Sequence, residues 1–257
     1  MAVAELERVA CNAASAAADI LSGALRADAG VHSADGRDIK TQADLDANAV
    51  ILESLSGIGL PVLSEESGAS DRFSLEGQCW IIDPLDGTMN FVRGLPIACV
   101  SVALWDKGQP QFGVIHDVFS GEVWTGGSGQ LACCNGEPVT VGTAGRPDAA
   151  ILATGFPRAR DYSTDAMGSS LQRFSDYKKV RMIGAAAVSL AWTAAGRMDL
   201  YLEEGIFLWD VAAGLAIMEG AGGAIRWSTP DSDWKCTVVA GNAELVEHEA
   251  GRMSCFS

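Results

Sequence analysis

The stretch Trp80-Ile81-Ile82-Asp83-Pro84-Leu85-Asp86-Gly87-Thr88-Met89-Asn90-Phe91 begins as an apolar run and breaks at a carboxylate. Aromatic and β-branched residues suit a pleated, buried strand. Asp83 meets Pro84, which fixes its own φ and removes a backbone donor. A second carboxylate, Asp86, follows three residues on, just ahead of Gly87-Thr88. Gly87 permits a tight turn and the close approach of another group. A strand-to-turn junction lets two carboxylates at this spacing point toward one spot. A helix starting at Thr88 would turn its free N–H groups to the same spot, where they suit a phosphate. Paired carboxylates repel unless a cation sits between them. Hard oxygen ligands suit Mg²⁺, commonly held by one or two carboxylates plus substrate phosphate oxygens. The junction therefore points to metal-assisted phosphate chemistry. Taken alone, Pro and Asp-Gly at a strand end read most often as a plain turn.

Upstream, Val3, Leu6, Ala10, Ala13, Ala17, Ile20, Leu21 and Leu25 recur at helical steps. Residues 28–37 are rich in Gly, Asp and Ser and read as a loop or hairpin. Thr41-Gln42-Ala43-Asp44 matches a capping box that opens a second helix, ended by Gly57 and Gly59. Short strands are predicted at 61–64, 79–83, 97–105, 111–117, 121–125 and 130–134, with tight turns that suggest antiparallel pairing. Beyond Val141 the pattern alternates. Strands are predicted at 151–154, 198–203, 224–227 and 236–240, and helices at 164–174, 185–195 and 211–219. Such alternation suggests an α/β layer. Two subdomains follow, 1–143 and 144–257, sharing one interface.

The 257 residues carry 18 basic and 33 acidic side chains, a net charge of −15. That acidity argues against a binder of nucleic-acid phosphates, which usually shows a basic face. An anionic substrate would need something cationic to offset the repulsion. The seven Cys show no C-x-x-C pair and read as buried, reduced thiols. His32, His116 and His248 lack zinc-site spacing. Glu5, Glu7, Arg8 and Asp19 interrupt any signal-peptide core, and no apolar run is long enough to span a bilayer. A soluble, cytoplasmic protein with no membrane partner is the expectation.

Further acids sit where apolar elements end. Glu65 and Glu66 follow the strand at 61–64, and Asp210 opens Trp209-Asp210-Val211-Ala212-Ala213-Gly214. Each has a plain reading: a solvated loop for Glu65-Glu66, an N-cap for Asp210, and a cap or a metal ligand for Asp44. Their combination shifts the balance toward chemistry. Gly220–Ala224 and Gly126–Gly129 read as a helix C-cap and a turn, not as nucleotide loops. Trp80 and Trp209, beside the acids, are expected to wall the site.

Asp83–Phe91, Ser64–Ser67 and Trp209–Gly214 together resemble the signature elements of the inositol monophosphatase family, in the family's order and over essentially the whole chain. The resemblance implies a layered αβαβα sandwich of helices and sheets, an α/β fold, with the site at the subdomain junction. It implies an Mg²⁺-dependent, lithium-sensitive phosphatase holding two or three ions, and a homodimer. Glu65, Asp83 and the Leu85 carbonyl would hold one Mg²⁺, and Asp83, Asp86 and Asp210 a second. Glu65 and Thr88 would orient and deprotonate the attacking water. Backbone N–H groups of Gly87 and Thr88 would bind phosphate. Asp86, the Ala186 backbone, Glu203 and Asp210 would contact substrate. The substrate so implied is a small phosphorylated polyol or sugar, inositol 1-phosphate first. The alternatives are a histidinol-phosphate, fructose 1,6-bisphosphate or other pathway-specific phosphatase of the same family, or a non-catalytic metal-binding or regulatory module. Gly155-Phe156-Pro157-Arg158 resembles the bacterial branch, with Arg158 read as a structural residue. Ala185 stands where the animal enzymes carry Thr.

Overall fold

The computed structural model describes residues 3–27, 31–35, 38–157 and 161–256. The first helix, α1 (Val3–Ala27), leads through the hairpin β1 (Val31–Asp35) and β2 (Asp38–Thr41) into α2 (Gln42–Ser56). Next come β3 (Val62–Ser64), β4 (Gly68–Ala69), β5 (Cys79–Asp86) and the short α3 (Thr88–Arg93). A meander follows: β6 (Cys99–Asp106), β7 (Gln109–Asp117), β8 (Val123–Gly127), β9 (Gln130–Cys134) and β10 (Glu137–Pro138). These strands form one sheet in the order β10-β9-β8-β7-β6-β5-β3-β4.

The remainder runs β11 (Ile151–Thr154), α4 (Thr164–Phe174), β12 (Lys179–Arg181), α5 (Ala186–Ala194) and β13 (Leu200–Phe207). It ends with α6 (Leu208–Gly220), β14 (Ala224–Trp227), β15 (Lys235–Gly241) and α7 (Ala243–Ala250). Its sheet has the order β12-β11-β13-β15-β14.

Side-chain alternation stacks these parts into layers. Trp80 and Ile82 of β5 pack with Leu6, Ala13 and Leu21 of α1 and Ile51 of α2. Cys79 and Ile81, on the opposite face, join Leu190 of α5 and Val211 and Leu215 of α6. The outer face of the smaller sheet packs Leu152, Leu200 and Val239 against Leu245 and Val246 of α7, with Phe174 of α4 alongside. The result is α1–α2, large sheet, α5–α6, small sheet, α4–α7: the layered αβαβα arrangement the resemblance implied. Because β5 is covered on both faces it reads as a continuous apolar run. Among the described residues no helix is long and apolar enough to cross a membrane.

Helix α6 lies between the sheets and is buried along Val211–Met218. Its small residues are there because neighbours touch its backbone. A Cβ at Gly113 of β7 would stand 2.2 Å from the Ala213 carbonyl oxygen, and one at Gly214 would stand 2.5 Å from Leu190 Cβ.

Several elements depart from the sequence expectation. β3 pairs with β5 in parallel, through a crossover that spacing alone does not reveal. β12 and α7 were not anticipated. Lys-Val-Arg at a sheet edge shows no apolar alternation, whereas Asn242 capping the Glu244 N–H was a readable helix start. Of the Cys, 79, 99 and 236 are buried, 11, 133 and 134 half-buried, and Cys255 is exposed, so the reading of buried thiols holds only for the first three.

Candidate active site

Strand β5 delivers two carboxylates to one place by breaking its own alternation. Asp83 pairs with Ser101 of β6 and Asp86 with Cys99, so β5 carries one residue more than β6 between the two pairings. A bulge of this kind re-aims side chains. Residues an odd number apart therefore reach the same face. Pro84 sits inside the irregularity, where its missing N–H costs no ladder bond. The Leu85 N–H donates to Asp83 Oδ1 at 3.0 Å.

Gly87 then turns the chain at φ +87°, and a Cβ there would lie 2.9 Å from the Ile97 carbonyl oxygen. The Thr88 hydroxyl lies 3.0 Å from the Leu85 carbonyl and 3.2 Å from Asp44 Oδ1, one proton facing two acceptors. The other oxygen of Asp44 accepts from the Thr41 N–H and hydroxyl at 2.7 and 2.6 Å, completing the expected capping box. Asp44 thus holds Thr88 from behind and does not itself line the cleft.

Asp86 joins the end of β5 to the start of α5. Its oxygens accept from the Ala186 N–H at 3.2 Å and the Ala187 N–H at 2.7 Å, at the start of α5. Ala185, the N-cap residue, makes no side-chain cap bond, so the carboxylate from β5 takes that place. Of the Ala186 backbone, expected to contact substrate, the N–H is engaged with Asp86. The Cys99 thiol donates to the same carboxylate at 3.7 Å.

Asp210 lies in the first turn of α6, inside the helix and not at its N-cap, which is Phe207. Its carboxylate accepts from the Phe207 backbone N–H. Glu65 follows β3, its N–H bonded to the Ile82 carbonyl at 3.3 Å. Glu66 is no solvated loop residue: its side chain is 3% exposed and pairs with Lys40 at 3.0 Å. Glu203 of β13 is buried, and Gly155 makes room for it, since a Cβ there would lie 2.6 Å from Glu203 Oε1.

A cleft of about 350 Å³ gathers Glu65, Asp83, Leu85, Asp86, Gly87, Thr88, Ala186, Glu203 and Asp210, every residue assigned to the site from sequence. Met89, Gly155, Phe156, Pro157, Gly184, Ala185, Ile206 and Phe207 complete its lining. Ile206 and Phe207 were missed, because an apolar pair at a strand end signals core. Trp80 and Trp209 do not wall the cleft. Strand alternation sends Trp80 to the α1–α2 layer, and Trp209 stacks behind Phe207. Arg158 lies outside the described residues.

No Lys, Arg or His stands among the described lining residues. Burial, then the charges of Glu65 and the neighbouring acids, holds the Asp83 and Asp210 carboxyls well above the usual range. Burial also pushes Asp86 up to about 6, against the α5 N–H groups that lower it. Among the described residues no group of three or more His, Cys, Asp or Glu side chains is arranged to enclose a metal ion. The donor set nonetheless fits Mg²⁺, which needs only one or two carboxylates and keeps several waters. Every donor is a hard oxygen, and the mutual repulsion is of the kind a divalent cation reverses.

The inositol monophosphatase family model matches residues 2–250. The chain is 38% identical over 215 residues to the Nus factor SuhB of Escherichia coli K12, covering 82% of this chain and 80% of that protein. It is 37% identical over 191 residues to the inositol-1-monophosphatase of Synechocystis, covering 73% and 66%. The solved inositol monophosphatase of Anabaena superposes with a TM-score of 0.83 at 33% identity, over 96% of this chain and 94% of that one.

Proposed function

Since the chain belongs to the inositol monophosphatase family, we propose that its cleft hydrolyses a small phosphomonoester with Mg²⁺ as the required cation. The observation that carries this reading is the cleft itself: Glu65, Asp83, Asp86 and Asp210 converge with Thr88, and no cationic side chain of the described lining offsets them.

Glu65, Asp83 and the Leu85 carbonyl would hold one Mg²⁺, and Asp83, Asp86 and Asp210 another. When bound, such ions neutralise phosphate oxygens, lower the pKa of a water and stabilise the leaving oxygen. The chain supplies the rest. Thr88, held by Asp44, and Glu65 orient the attacking water, and Glu65 takes its proton. The Gly87 and Thr88 N–H groups hold phosphate. The water oxygen bonds to phosphorus in line as the ester P–O bond breaks, so no phosphoenzyme forms. Glu203 accepts a hydrogen bond from a substrate hydroxyl, which favours a polyol or sugar monophosphate, inositol 1-phosphate first.

Phosphate release from inositol 1-phosphate should vanish with a chelator and return with Mg²⁺; full turnover of metal-free protein would sink the reading. Glu203→Gln should lower kcat/KM for inositol 1-phosphate much more than for an aryl phosphate. Equal losses on both would make Glu203 structural. Lithium inhibition and a homodimer are proposed on family membership alone, to be checked by inhibition assay and by sedimentation.

The name of the Escherichia coli relative supports a second reading, a regulatory module that keeps the fold. A folded, Mg²⁺-loaded protein that releases no phosphate from a broad panel of monoesters would favour it.

A further inference from the structure

The acids of the cleft account for the phosphate end of a substrate and one hydroxyl. Another part of its wall is apolar: Phe156 and Pro157 beyond β11, and Ile206 and Phe207 at the end of β13. The two rings are held in place. Phe207 stacks on Trp209 with centroids 4.6 Å apart and planes 7° apart. Phe156 packs against Tyr162 and Phe174 at 6.2 and 6.3 Å. Both are only half-buried while lining the cleft.

Phe207 also occupies a position that its own helix gives no reason to make aromatic. It is the N-cap of α6, where Ser, Thr, Asp or Asn would satisfy the free N–H groups. Its side chain makes no cap bond, and Asp210 satisfies the Phe207 N–H instead.

Resting on the hydrolase reading of this cleft, we infer that Phe207, with Phe156 also on the cleft lining, determines specificity for the leaving group. The wall takes a ring with a flat apolar face, in addition to the hydroxyl proposed for Glu203. A ring laid against fixed aromatics sheds water from both surfaces and adds stacking. An open-chain polyol leaves that wall wet.

The test compares kcat/KM of the Mg²⁺-loaded protein on 2-phenylethyl phosphate and glycerol 2-phosphate, for the wild type, Phe207→Ala and Phe207→Leu. Both substrates are alkyl esters, so the comparison is not governed by an activated phenol leaving group. Phe207→Ala should lower the ratio of the two values by about two- to tenfold, the worth of one aromatic contact, chiefly through KM. Phe207→Leu, which keeps apolar bulk, should shift the ratio in the same direction by less. If the alanine variant does not fold, the leucine variant alone decides. An unchanged ratio in the folded variants overturns the inference and leaves the hydrolase reading standing. A wild type that hydrolyses neither substrate, nor inositol 1-phosphate, overturns both.

Discussion

Asp86 shows how much one carboxylate is asked to do. It caps α5 from the end of β5, takes a thiol hydrogen bond and faces the cleft. Asp210 is simpler, and a better probe. Asparagine keeps an oxygen for the Phe207 N–H, so Asp210→Asn should fold. It should lose activity by at least the roughly 10–100-fold seen when a metal site's support is disturbed. It also removes a half-buried, repelled charge, so the chelated variant should melt higher than the chelated wild type. Near-normal turnover at ordinary Mg²⁺ would refute the second-ion assignment. Thr88→Ala should depress turnover more than Mg²⁺ affinity, because its hydroxyl is proposed to position water. Calorimetric Mg²⁺ titration beside initial rates separates the two. At Gly87, with φ +87° and only 2.9 Å to the Ile97 carbonyl, alanine meets strain and a clash together. Gly87→Ala should cost about 1–3 kcal/mol by denaturant unfolding and displace Thr88 as well.

Among the elements, the bulge of β5 and the burial of α6 position the chemistry. The bulge turns Asp83 and Asp86 to one face, and α6 carries Asp210 to meet them. Helix α6 reaches its place only because small residues let α5 and β7 approach its backbone. Gly214→Ala would put a Cβ 2.5 Å from Leu190 Cβ, forcing the helices apart. Overpacking of this kind should cost about 1–3 kcal/mol in unfolding free energy. Leu190→Ala in the same chain keeps the Leu190 Cβ but removes Cδ1 and Cγ, which would stand 2.6 and 3.0 Å from the new Cβ, so it should recover part of that loss in a non-additive double-mutant cycle. Strict additivity would mean that the two helices do not meet as described.

For the whole molecule, the acid cluster links stability to pH and to cations. Asp83, Asp86 and Asp210 all have carboxyls raised on folding. An unfolded Asp titrates near ~3.9, while Asp86 in the fold titrates at about 6. Between those values the folded state binds more protons than the unfolded one, so this contribution weakens as pH rises through the window. Carboxylates held low by arginine, such as Glu122 beside Arg197, act oppositely at lower pH. The stabilisation gained on adding Mg²⁺ to chelated protein should therefore be larger near about pH 7.5 than near about pH 5. Thermal melts with and without Mg²⁺ at the two pH values measure it, and a gain that does not grow with pH contradicts the picture.

Much of this was legible along the chain because it is local. The capping box at Thr41–Asp44, the helix at 164–174 and the acid-Pro-acid-Gly junction each depend on neighbours within a few residues, where propensity and turn chemistry act. The small residues of Trp209–Gly214 were legible as a motif, but their reason was not. That reason lies in Leu190 and Gly113, distant in sequence and touching in space. The parallel pairing of β3 with β5 and the end-on meeting of Asp86 with α5 are likewise long-range. So is the aromatic wall at Phe207: in sequence it is one more apolar residue before Trp209-Asp210. Whether such a ring enters the core or borders a cleft is decided by what packs against its faces, and that only the tertiary structure sets.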